Sequence, residues 1–142
     1  LGMKGFGELE ATQKSQGHAF WDFGDDAFTV GRPHPMMAPE LRMERLVTEL
    51  QDPEVSVVFL DVVIGFGAAV NQAQTLVDAL KKAETLSGGK SREKIVVAYV
   101  CGTDLDNPSR SAEVAILEKN GVIVGKSNAQ AAVFAANAAK AG

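Results

Sequence analysis

The chain has 142 residues, 46% of them hydrophobic and 23% charged, and its acidic side chains outnumber its basic ones by 18 to 14. A chain of this size forms one core that buries about 70% of the surface exposed by its unfolded form, and its acidic balance lacks the positive field that binding to nucleic acid or anionic lipid needs, so neither is expected as a partner. One cysteine, Cys101, excludes an intrachain disulfide, and with two histidines it cannot complete a Cys/His zinc site, so no metal centre is expected.

No run reaches the roughly 18 to 20 apolar residues that span a bilayer, and Leu1 to Glu10 lack a basic start followed by an apolar stretch. A cytoplasmic, reducing location is expected. Residues 1–16 are small, polar and weakly patterned, which reads as a linker or appended tail, and the chain reads as a domain cut from a longer protein.

From residue 17 onward, strand-length apolar runs alternate with helical patterns, the signature of a mainly parallel sheet covered on both faces. Ala19 to Phe23 is predicted as a short first strand, followed by a loop through Gly31, Pro33 and Pro35. Pro39 pre-sets a helix from Glu40 to about Leu50, with Leu41, Leu46, Val47 and Leu50 as its buried stripe. After Asp52-Pro53, Val55 to Leu60 suits a strand buried on both faces. Gly65-Phe66-Gly67 leads into a helix predicted over 68–84, striped by Val70, Ala73, Leu76, Val77 and Leu80 and stopped by Ser87-Gly88-Gly89. Ile95 to Val100 forms the next strand, Pro108 opens a helix that ends at Asn120-Gly121, and Val122 to Val124 forms a short strand. Ser127 or Asn128 caps a final Ala-rich helix, 129–141. This β-α-β-α-β-α-β-α order closes into a flavodoxin-like, three-layer α-β-α open sheet with right-handed crossovers.

Ligands of open α/β sheets collect outside the carboxyl ends of the strands, so the loops there carry the candidate chemistry. In the first loop, Asp25, Asp26, Arg32 and His34 lie close in sequence. Arg32 reads as an anion clamp and His34, held between Pro33 and Pro35, as a titrating or phosphate-contacting group; the alternative is a turn capped by the carboxylates, with Arg32 paired to one of them. A Mg²⁺ reading of Asp25 and Asp26 lacks a third ligand. In the second loop, Gly65, Phe66 and Gly67 offer backbone N–H groups at the start of a helix, although the spacing matches no dinucleotide or P-loop motif and also serves a plain tight turn. Gly102 and Thr103 open a third loop, through Arg110, that rims the same cleft. Cys101, at the end of an apolar strand, reads as a small buried thiol rather than a nucleophile.

Asp22 to Asp26, followed by Phe28-Thr29-Val30-Gly31-Arg32-Pro33-His34-Pro35-Met36, resembles the carboxy-terminal part of FdrA-type proteins. The layout from Asp52-Pro53 through Gly65 and Gly67 is similar to the ligase domain of succinyl-CoA synthetases, which makes 17–142 a succinyl-CoA ligase-like domain. The resemblance implies an acyl-CoA synthetase-like enzyme that handles an acyl phosphate, or a subunit of an oxamate carbamoyltransferase that handles carbamoyl phosphate in allantoin and purine breakdown. It further implies CoA and ATP with Mg²⁺ bound elsewhere in the parent protein, none within this domain, and contacts with the remaining domains or a partner subunit. A homodimer is left open. The phosphohistidine of those synthetases follows the strand corresponding to Ile95 to Val100, where this chain reads Asn107-Pro108-Ser109-Arg110-Ser111-Ala112 without a histidine. A third reading is therefore a catalytically silent module that binds a partner through its exposed helices.

Overall fold

The computed structural model describes residues 14–15, 17–31, 33–34 and 36–141. Among them the order is α1 (Asp26–Thr29), α2 (Glu40–Gln51), β1 (Val57–Val63), α3 (Gln72–Leu86), a 3₁₀ turn (Lys90–Glu93), β2 (Ile95–Cys101), α4 (Arg110–Lys119), β3 (Ile123–Gly125) and α5 (Asn128–Ala141). The three strands form a parallel sheet in the order β1-β2-β3, with Phe59 beside Val97 and Val97 beside Ile123.

The segment expected as a first strand, Ala19 to Phe23, is not a strand. Trp21 and Phe23 have the alternation of one, but the chain turns at Gly24 and enters α1, and the aromatic side chains pack on each other and on α2 rather than on a sheet. Phe28 is buried against Phe23, with ring centroids 5.2 Å apart, and the Arg45 guanidinium of α2 lies 3.7 Å from the Trp21 ring centre, a cation–π contact. Arg45 also donates to Glu49 one turn along, at 2.6 Å from Nε, and to Ser15 Oγ at 2.9 Å, so this buried charge is fully engaged.

β1 begins later than expected and runs on to Val63, because Asp61 interrupts the apolar run without ending the strand. Its carboxylate, 62% exposed, turns away from the core and meets Arg42 at 3.3 Å. α3 begins at Gln72 rather than near Ala68, since Ala68 and Ala69 donate to Gly65 and Met36 in a turn, and Asn71 takes a φ of 58°. Val70, expected in the buried stripe, therefore stands 69% exposed outside the helix.

The core lies between the sheet and α2, α3 and α4, where Leu50, Leu76, Val77 and Leu117 pack against Val62, Val96, Ala98 and Val100. α5 crosses all three strands. Ser127 Oγ caps it by accepting from Gln130 N at 3.2 Å, while Gln130 Oε1 accepts from Lys126 N at 2.7 Å. Its close approach depends on Gly125, where a Cβ would stand 2.6 Å from the backbone N of Ala131. Val97 is fully covered, but its row neighbours Phe59 and Ile123 keep 39% and 44% of their surface in water. The result is a flavodoxin-like α/β layering on three parallel strands.

Candidate functional site

Two strand-end loops meet beyond β1 and β2. Ile64 N donates to Cys101 O at 3.0 Å and so extends the pairing by one step, after which the chains separate at Gly65 and Gly102. Both glycines adopt positive φ, 117° and 156°, and both sit against the carboxylate of Asp106. A Cβ on Gly65 would stand 3.1 Å from Asp106 Oδ1, and one on Gly102 would stand 3.2 Å from Asp106 Oδ2 and 2.2 Å from Ile64 Cγ1. Asp106 Oδ2 accepts from Thr103 N at 2.6 Å and from Thr103 Oγ1 at 3.0 Å. Gly65, Gly102 and Thr103, expected to serve one site, are thus gathered around a side chain that was not expected there.

Beyond that carboxylate, the Gly65, Phe66 and Gly67 N–H groups donate to no acceptor among the described residues. Phe66 stands wholly in solvent, as does Leu105 on the facing loop. The helix starts behind these loops draw acceptors from within the fold. Ala73 N, in the first turn of α3, donates to Oε2 of the buried Glu113 at 2.6 Å. Ser111 N, in the first turn of α4, donates to Asp104 Oδ1 at 2.7 Å. The Ser111 backbone N–H, then its side chain, and the nearby Arg110 hold the Asp104 carboxyl below the usual range. Arg110 Nε is itself committed to Val100 O at 3.1 Å.

The first loop joins the cluster through its backbone. Met36 O accepts from Ala69 N at 2.8 Å and from Gln72 Nε2 at 3.1 Å, which ties the turn after His34 to the segment before α3. The His34 imidazole is exposed, and its Nδ1 accepts from Met36 N at 3.2 Å, leaving the proton of the neutral ring on Nε2. That Nε2 faces Gly24, 3.3 Å from where a Cβ would stand, with Asp22 Oδ1 on the same side at 3.2 Å. Arg32 lies outside the described residues.

Cys101 is exposed, not buried as expected, because it is the last residue of β2 and lies on the thinly covered face of the sheet. Among the described residues no three His, Cys, Asp or Glu side chains group as a metal site, and no helix is long and apolar enough to cross a membrane. A hollow of about 480 Å³ lies at the opposite end of the strands, where Leu50, Pro53, Val55, Lys90, Glu93 and Lys94 form part of its wall. Lys94 Nζ is pinned there by the carbonyls of Asp52 and Val55.

Asp106 had a legible signal, since Thr103-x-x-Asp106 has the spacing of a side chain that caps back to an amide three residues earlier. Glu113 had none, because its partner lies 40 residues away in the chain.

Parallel strands with helices on both faces, and polar loops gathered at the carboxyl ends, define an open-sheet α/β domain. Residues 7–138 match the CoA-ligase family, and the chain belongs to it. It is similar to the uncharacterized protein YahF of Escherichia coli (strain K12), with 41% identity over 127 residues that make up 89% of this chain and 25% of the relative. The chain therefore spans about a quarter of the length of that relative.

Proposed function

We propose that the chain is the ligase-type domain of a larger, FdrA-type acyl-CoA synthetase-like enzyme, and that it contributes an acyl phosphate site at the carboxyl ends of β1 and β2. The observation that carries this reading is the run of open N–H groups at Gly65, Phe66 and Gly67, beside Gly102 and ahead of α3. Successive amides of this kind offer several donors to one group of anionic oxygens without a side chain having to move, and stabilise charge as it develops there. Arg32 and His34 are kept as the proposed catalytic partners on the sequence reading alone; the His34 imidazole points to Gly24 and Asp22 and would have to turn to reach the amides.

The hollow with Lys90 lies at the far end of the strands from this site. CoA and ATP with Mg²⁺ are assigned to the rest of the parent protein or to a partner subunit, and no step is derived through them.

The test is an amide-resolved NMR titration with inorganic phosphate, acetyl phosphate and carbamoyl phosphate. Shifts are expected at Gly65, Phe66, Gly67 and Gly102, and Arg32→Ala and His34→Ala should each weaken binding by about tenfold, as loss of a charge-assisted hydrogen bond does. A preference for carbamoyl phosphate over acetyl phosphate would move the assignment to carbamoyl transfer. Phosphates that leave the Gly65 to Gly67 amides unmoved would overturn the site.

A further inference from the structure

The carboxylate of Asp106 lies in the notch between Gly65 and Gly102, alongside the open amides to which the preceding reading assigns a phosphate. It holds the Thr103 amide at 2.6 Å and the Thr103 hydroxyl at 3.0 Å, both neutral donors. No Lys, Arg or His among the described residues pairs with it; the nearby Arg110 points its Nε at Val100 O instead. The notch is therefore flanked by a carboxylate that no cationic side chain among the described residues pairs with. The two positive-φ glycines make room for this side chain, because a Cβ at either position would press on it.

We propose that Asp106 is an autoinhibitory internal anion: its carboxylate stands beside the open amides at the ends of β1 and β2 and weakens phosphate binding there until it is displaced or neutralised. The proposal rests on the phosphate reading of Gly65 to Gly67 and adds the element that regulates it. Thr103, one of the residues expected to bind phosphate, reaches an external anion only after releasing Asp106.

Asp106→Asn is the informative variant, because the amide oxygen can still accept from Thr103 while the charge is gone. A unit charge about 4 Å from a phosphate in water-like surroundings is worth about 5-fold in affinity against a monoanion and about 30-fold against a dianion. NMR titration of the full chain with inorganic phosphate, read at the Gly65, Phe66, Gly67 and Thr103 amides, should show binding that tightens by about that range in Asp106→Asn, more at pH 8 than at pH 6. Spectral dispersion like that of the unmodified chain confirms that the variant is folded. Asp104→Asn is the control, since its carboxylate is turned toward Ser111. Equal affinity in the unmodified chain and Asp106→Asn, with the glycine amides shifting in both, would overturn the autoinhibition and leave the phosphate site standing. An equal gain in Asp104→Asn would also overturn it, by reducing the effect to general loop charge. No shift at the glycine amides in any variant would overturn the phosphate site, and the autoinhibition with it.

Discussion

Replacing Glu113 tests how far the fold depends on an acceptor brought to α3 from another helix. Its side chain is 1% exposed and accepts from Ala73 N at 2.6 Å, and Ala73 is itself fully buried. Glu113→Ala removes a charge-assisted hydrogen bond of about 1.5–3 kcal/mol and strands a buried N–H at a further penalty of about 1–3 kcal/mol, so a total near 3–5 kcal/mol is expected. Against a typical domain stability of about 5–15 kcal/mol this is a large fraction. Glu113→Gln keeps an acceptor oxygen and sheds the burden of a buried charge, so its loss should be about 1 kcal/mol. Glu113→Leu fills the volume but leaves Ala73 unpaired, and should fall between the two. Urea denaturation at pH 7 reads the series: with a slope of about 2 kcal/mol per M, Glu113→Ala should lower the midpoint by about 1.5–2.5 M and Glu113→Gln by about 0.5 M. A Glu113→Ala protein within about 1 kcal/mol of the parent chain would refute the reasoning, as would a Glu113→Gln variant that loses as much as the alanine.

Two other perturbations separate packing from charge. Gly125→Ala should destabilise by about 2–3 kcal/mol in the same assay, because its Cβ would lie 2.6 Å from the Ala131 backbone N and α5 must lift to admit it; Ala131→Gly should restore part of the loss. Asp104 predicts a dependence on pH. Its folded carboxyl is held below the usual range, so the stability it contributes is complete above the unfolded value of about 3.9 and disappears as the pH falls through the lower folded value. Urea midpoints measured from pH 5 to pH 2 should therefore fall less steeply in Asp104→Asn than in the parent chain, and parallel curves would exclude the role.

Local patterning was enough to locate most elements. Of the stripe expected on α2, Leu46, Val47 and Leu50 are buried while Leu41 is only half-buried and Met43 takes its place in the core, and the apolar run of Ile95 to Val100 is β2 almost to the residue. The pattern misled where tertiary context decides. Trp21 and Phe23 alternate like strand residues but found Arg45 and Phe28 as partners instead of a neighbouring strand, and Asp61 breaks an apolar run without breaking the backbone pairing. The strand-end glycines of the candidate site were placed correctly in the fold, because their positions follow from the alternation of elements. The site's electrostatics were not legible, because the carboxylates that satisfy the helix starts depend on how the loops fold over each other. The expected convergence of the strand-end loops joined His34 to the glycine turn, but its imidazole is directed toward Gly24 and Asp22.

That α5 is the one helix over its face of the sheet among the described residues also shapes how the isolated chain unfolds. Phe59 and Ile123 already touch water in the native state, so their full hydration does not count toward the transition. Both the heat-capacity increment and the denaturant slope scale with the surface newly exposed on unfolding. The chain by itself should therefore melt over a wider temperature interval than a domain of equal length sheltered on both sides, and covering that flank would sharpen the transition as well as raise it.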